Sequence, residues 1–272
     1  MKKISKKIIL YFFLMIVGLL MVGPFLWLFF SSVLPGTNVY DFPNNLRIEN
    51  LGLKNYSEVM EFMDFGKYIL NTVIITLICV MCNAFLSSLT AYPLAKMKFK
   101  GKGLIFNAIV ATMIIPAAAG MIVNYITITN LGLVNSFIGV ILPSAVSVFN
   151  IFLMRQGFLS IPDSIRESGK MDGASEMTIF LKLIMPMMKP TLAVVVLFQF
   201  MANWNDFLWP MIVLNDTDKY PLAAALTLLN GQFSYNFGWI AAGTVISVIP
   251  IIIVFIFTQK YFVEGVSGAT KG

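Results

Sequence analysis

Residues 68–91 read YILNTVIITLICVMCNAFLSSLTA, 24 residues without one charged side chain. As an α-helix rising about 1.5 Å per residue, this stretch is long enough to cross a hydrocarbon core of about 30 Å. Its apolar residues run on continuously, without the period-two alternation of a membrane barrel strand. Backbone amides and carbonyls find no water in lipid, so the stretch must pair its own backbone as a helix. Five more apolar stretches flank it, at 8–32, 104–125, 137–153, 191–213 and 239–258. The expectation is an all-α, polytopic membrane protein with six transmembrane helices.

The composition agrees. Of 272 residues, 58% are hydrophobic and 12% charged, with a mean hydropathy of +0.83. That charged share is about half the roughly 25% usual in soluble domains. A soluble enzyme, a disordered chain and a disulfide scaffold are excluded. There is no His, which removes Ser-His and Cys-His catalysis, His metal sites and His pH switching. The two cysteines, Cys79 and Cys82, stand as C-x-x-C inside the apolar stretch quoted above. A redox pair needs an exposed, electropositive setting, so they read as small packing residues. The N-terminal MKKISKK precedes an apolar run too long for a signal peptide's core, so it reads as a retained first helix.

Basic residues give the orientation. Of 19 Lys and Arg, 15 fall in one set of connecting segments and termini, and Arg47, Lys54, Lys67 and Lys219 fall in the other. The positive-inside rule then places both termini in the cytoplasm of a multi-pass plasma-membrane protein in contact with lipid. A net charge of +6 is explained by this topology and needs no nucleic acid. The outer segments contain the turn signals Leu34-Pro35-Gly36 and Asn215-Asp216-Thr217-Asp218.

The spans are nearly free of charge, with Asp206 near the outer end of the fifth as the exception. Ion-coupled carriers usually place ionisable groups there. Neutral polar groups are present instead, including Asn83, Asn150, Gln199, Asn203 and Asn205. They fit helix–helix hydrogen bonding, or a path for a neutral polyhydroxylated solute. On the second reading the candidates are Asn83, Asn150, Asn203, Trp204 and Asn205. Trp204 fits an interfacial anchor or a sugar-stacking ring. Pro24, Pro93, Pro116, Pro143, Pro210 and Pro250 lie in or beside the spans and are expected to kink them.

The inner segment 155–190 carries the most information. Ser160 is expected to cap a short helix with Asp163 three residues on, and Pro162 suits its first turn. The helix should end near Met171, with Gly173 turning the chain. Ser175 should cap a second helix, which Pro186 and Pro190 interrupt. The result is a helix–turn–helix under the membrane, able to lie in a partner's groove or on the lipid surface. Glu167 is expected to hydrogen-bond across its joint.

This segment resembles the EAA signature of ATP-binding-cassette importer permeases. Glu167 takes the Glu position, and Asp172-Gly173-Ala174, Phe180, Pro186 and Pro190 follow in register. Ser168 and Gly169 replace the two alanines, and Gly169 should loosen its helix by up to about 1 kcal/mol relative to Ala. Asn71-Thr72, the Ser88–Tyr92 run SLTAY, Lys98-Phe-Lys-Gly101 and Trp204-Asn-Asp-Phe-Leu-Trp-Pro210 are similar to sugar-importer permeases. The tail from Gln259 is similar to that of the shorter, six-span partner in the maltose permease pair.

The resemblance implies a type I importer permease fold. It divides the chain into a first helix with outer segment (1–67), a permease core (68–260) and a cytoplasmic tail (261–272). It also implies a second permease subunit, a cytoplasmic ATPase dimer holding ATP–Mg, and an extracellular solute-binding protein. Glu167, Ser168, Gly169, Asp172, Gly173 and Ala174 would then couple this chain to the ATPase. No phosphate-binding loop occurs in the sequence, so the chain is expected to be a transport subunit without a cofactor of its own, not an enzyme. The implied cargo is a sugar, with glycerol phosphodiester, polyol or sialic acid as alternatives within the superfamily. An ion-coupled carrier and an intramembrane enzyme are the readings outside it.

Overall fold

The computed structural model describes residues 2–34, 51–229 and 236–268. The turn expected at Pro35-Gly36, the loop residue Arg47 and the last four residues of the tail lie outside the described residues. Among the described residues the structure is helical, with no strand. It separates into two compact units, one of residues 1–65 and 226–250, the other of 66–225 and 251–272.

In the first unit, α1 (Lys2–Val33) is almost bare of contacts. Leu20 and Met21 are largely exposed, at 72% and 70%. In water such a surface would be untenable; in lipid it is the expected face. The end of α1 is held by α2 (Lys54–Phe62). The buried Asn55 amide donates to Ser32 O at 3.0 Å and Leu34 O at 2.8 Å, supplying donors that the last turn of α1 lacks. Trp239 lays its ring over Phe62 at 5.3 Å and donates Nε1–H to Glu58 at 2.9 Å. Gly238 is fixed by packing, because a Cβ there would lie 2.6 Å from the Asn55 amide.

The second unit holds α3 (Phe65–Lys96), α4 (Lys102–Ala111), α5 (Ala117–Asn130), α6 (Phe137–Ser144) and α7 (Val148–Ser160). There follow α8 (Asp163–Met171), α9 (Glu176–Thr178), a π-helical turn (Ile179–Ile184), α10 (Met185–Met187) and α11 (Lys189–Trp204). Then come α12 (Leu208–Val213) and α13 (Leu222–Leu228), whose last residues, from Leu226, belong to the first unit. The last helix, α14 (Phe237–Gly268), runs from one unit into the other.

Among the described residues, three helices are long and apolar enough to cross a membrane: Lys7–Val33, Phe65–Lys96 and Phe237–Lys260. Three bent pairs raise that number to six if each is one span. The third, fourth and fifth stretches were each expected to be one helix, kinked where proline falls, and instead each is broken. The third breaks by 104° before α5, where Pro116 brings no N–H and holds Ile115 extended. The fourth bends by 45° between α6 and α7, and Ser147 caps the new helix start by accepting from Asn150 N. The fifth stops at Trp204. Asp206, read as a charge inside a span, lies in the link beyond it and accepts from Trp209 N at 3.3 Å at the start of α12. Pro210 falls in the first turn of α12, where a missing N–H costs nothing. Pro24, Pro93, Pro143 and Pro250 lie within helices as expected.

At the far end of this unit, Asn135 takes a left-handed backbone, φ 58°, which Asn tolerates better than most residues. Its Oδ1 accepts from Asn215 N and Asp216 N, and its own carbonyl accepts from Lys219 Nζ at 3.0 Å. Lys67 meets Asp218 at 2.6 Å, and Asn71 Nδ2 donates to Asp218 O and Tyr220 O. These bonds fasten segment 213–220 to α3 and to the link before α6.

Candidate functional site

The segment between α7 and α11 is built around one helix stop. Asp172 follows α8, Gly173 takes φ +76°, and Ala174 N reaches back to Gly169 O at 3.0 Å while Gly173 N reaches Lys170 O at 3.0 Å. This is the paired-bond Schellman stop, which asks for glycine at the left-handed position. The Asp-Gly-Ala order therefore has a local physical reason. Ser175 caps the next turn, accepting from Thr178 N. Ser160, expected to cap α8, instead ends α7 and donates to Gly157 O at 2.8 Å; Pro162 precedes α8 and Asp163 is its first residue.

Glu167, Ser168, Met171, Asp172 and Gly173 are exposed, Met171 at 88%. Gly169 faces inward and is buried. A Cβ there would meet Leu183 Cδ1 at 2.9 Å and Ile179 Cγ1 at 3.0 Å. Where propensity alone made this glycine a loosening, packing makes it the residue that lets α8 lie close on the π turn. The bond across the joint falls to Glu176 and not to Glu167. Arg166 binds Glu176 through two parallel bonds, Nε to Oε1 at 2.6 Å and Nη2 to Oε2 at 3.0 Å, with Lys170 at 3.4 Å. The pair raises the Arg166 guanidinium above its ordinary value, chiefly through its hydrogen bond to Glu176.

Two side chains from the end of α3 join this segment. Tyr92 OH donates to Glu176 Oε1 at 2.6 Å, its ring set between Phe158 at 5.6 Å and Phe180 at 4.8 Å. Lys96, with 2% of its side chain exposed, donates to Ile161 O and reaches Asp163 Oδ1 at 2.6 Å. The Lys96 ammonium holds the Asp163 carboxyl below the usual carboxylate range, first through the hydrogen bond and then through its charge. Neighbouring cations satisfy carbonyls at the end of α3 and just past it: Arg155 donates to Leu94 O, and Lys102 to Ala95 O and to Met97 O beyond the helix.

The five solute-path candidates do not form one cluster. Asn83 and Asn150 meet directly, Asn150 Nδ2 donating to Asn83 Oδ1 at 2.7 Å and to Gln199 Oε1 at 3.0 Å. Ser87 donates to Asn83 Oδ1, and Gln199 Nε2 donates to Ser144 O, a carbonyl at the break in the fourth span. Asn83 Nδ2 and Asn150 Oδ1 stay buried without a partner. Asn203 is buried and donates to Gln199 O; Trp204 is buried and stacks on Phe200 at 5.1 Å. Asn205 is exposed and donates to Met201 O. Gln199, absent from the candidates, is the hub of this network. Cys79 and Cys82 form no disulfide, and Cys79 is wholly buried.

Apolar helices broken at defined points, a neutral polar interior and a charged helix–turn–helix segment are the features of a polytopic membrane protein. Residues 83–268 match the family described as "Binding-protein-dependent transport system inner membrane component", and the chain belongs to that family. It is similar, at 32% identity over 98% of this chain and 96% of the relative, to the arabinooligosaccharides transport system permease protein AraQ of Bacillus subtilis. It is similar, at 29% over 97% and 96%, to the lactose transport system permease protein LacG of Rhizobium radiobacter. A crystal structure of a bacterial ABC transporter involved in the import of the acidic polysaccharide alginate contains a chain with TM-score 0.84 to this one. That chain is 30% identical, with 95% of this chain and 96% of that chain covered.

Proposed function

We propose that this chain is one permease half of an ATP-driven, binding-protein-dependent importer for a sugar, an oligosaccharide in particular. The observation that carries this is the exposed apex at Met171–Gly173, joined through α8 to the ends of the spans. A surface of that kind, small at the turn and rigid behind it, suits seating in a groove of another protein. Similarity to sugar permeases over nearly the whole chain supports the cargo class.

On this reading six spans cross the plasma membrane, the fifth beginning with α11 so that α8 and α9 stay outside it, and both termini face the cytoplasm. A second permease completes the pore. A pair of cytoplasmic ATPases holds ATP–Mg and grips Glu167, Ser168, Asp172, Gly173 and Ala174, while the buried Gly169 supports them from behind; an external binding protein delivers the solute. The first helix and outer segment end near residue 67, the permease core runs over 68–260, and the tail follows. Nucleotide-driven movement of the groove displaces the lever, and the bundle alternates between its two openings. Asn83, Asn150, Asn203 and Trp204, enclosed by this chain's own helices, form the wall behind the solute path, and Asn205 is free to face it.

The test is purification of the assembled complex from native membranes, with identification of the binding protein and the solute it carries. The expected result is two permeases, two ATPase subunits and a binding protein loaded with an oligosaccharide. A glycerol phosphodiester, polyol or sialic acid would change the cargo; a lone chain transporting without any ATPase would end the assignment.

A further inference from the structure

Tyr92 and Lys96 stand four residues apart near the end of α3, so their side chains leave the same face one turn from each other. Each holds a different part of the following lever. Lys96 takes its start, through Ile161 O and Asp163. Tyr92 takes its far limb, through Glu176, which is itself locked to Arg166 in the middle of α8. The two grips are unlike in kind. Lys96 is a buried cation on a carbonyl and a carboxylate; Tyr92 is a hydroxyl held by an aromatic box on an ion-paired carboxylate. A rod fastened at one point can pivot about it, whereas a rod fastened at two cannot.

We infer that Tyr92 and Lys96 are positioning residues that fix the lever to the second span at two points, so that movement of α8 passes to that span without loss. The inference rests on the coupling role proposed above. Arg166 and Glu176 belong to the same device. They join the two limbs of the lever, so that α8 and α9 move as one piece. Glu167, exposed at the surface, takes no part in this internal fastening.

The assembled complex, purified with its own binding protein as isolated and placed in lipid vesicles, supplies the test. ATP hydrolysis is measured with and without that binding protein in Tyr92→Phe, Lys96→Met and the double variant. Each single variant keeps one grip, so stimulation by the binding protein should fall by about twofold; the double variant should lose about tenfold or more, beyond the product of the singles. A double variant stimulated as well as the wild type overturns the two-point clamp. So does a loss that follows, in proportion, loss of ATPase subunits from the purified complex. If the wild-type complex shows no stimulated hydrolysis, it is the importer assignment that falls.

Discussion

Asn83 and Tyr92 lie on the same helix, yet their surroundings are opposite. Asn83, fully buried in the middle of α3, meets other neutral amides, and its Nδ2 is left without a partner. Tyr92, near the helix end, meets ionised groups joined by close, paired bonds. A neutral amide network can be enclosed in an apolar bundle with one donor and one acceptor unmet. An unmet charge there would cost several kcal/mol, as isolated ions in low dielectric do. Charge is therefore kept towards the ends of the helices, and at this end the groups on α3, α8 and α9 neutralise one another.

That contrast is open to attack from both ends. The largest effect is expected at the lever's apex. Gly173→Leu forces a side chain onto φ +76°; the left-handed conformation then costs about 1–2 kcal/mol. The shape needed for docking becomes about tenfold rarer by that term alone, with bulk added at an exposed turn. ATP-dependent uptake in vesicles should fall at least that far while the protein still reaches the membrane; normal uptake would remove the apex from the mechanism.

A smaller effect is expected in the amide network. Asn150→Leu leaves Asn83 Oδ1 and Gln199 Oε1 without their shared donor and should lower stability by about 1–2 kcal/mol. Replacing both, Asn83→Leu with Asn150→Leu, should cost less than the two singles added. Unfolding measured in detergent distinguishes these outcomes, and strict additivity would mean that the amides do not act as a unit.

The smallest effect belongs to Asp163, whose side chain is 70% exposed. Asp163→Asn should change stability by no more than about 1 kcal/mol, as exposed pairs usually do. Its folded-state value is lowered, so its contribution is present above the ordinary carboxylate value and is lost as the pH falls through the lowered one. An acid unfolding curve shifted downward in pH by this variant would contradict that sign.

Much of the lever was legible in the sequence because helix stops are local. Gly173 and Ser175 act on residues within one turn of themselves, and the structure puts the stop and the cap where those residue types require. Ser160 misled for the opposite reason. A serine before Pro and Asp reads as a cap, but α7 extends far enough to absorb it. The breaks in the third, fourth and fifth spans were half legible. Pro116 marked the first, while the stop at Trp204 depends on a link whose carboxylate starts α12. The partners of Glu176 and Lys96 were not legible, since Tyr92 is 84 residues and Asp163 67 residues away along the chain. Gln199 was one polar residue among many until α3, α7 and α11 brought it against Asn150 and Ser144.

Asn135 leads to a consequence at the opposite face of the second unit. Its side chain and carbonyl, with Lys219, Lys67 and Asn71, stitch the connecting segments there into a ledge that is set before any encounter. On the proposed function, a binding protein landing on this ledge would not have to freeze a wandering loop, so contact area would go toward affinity and little would be forfeited to ordering. Cutting the Asn135 stitches should accordingly weaken association by slowing or loosening capture, long before it disturbs the bundle below.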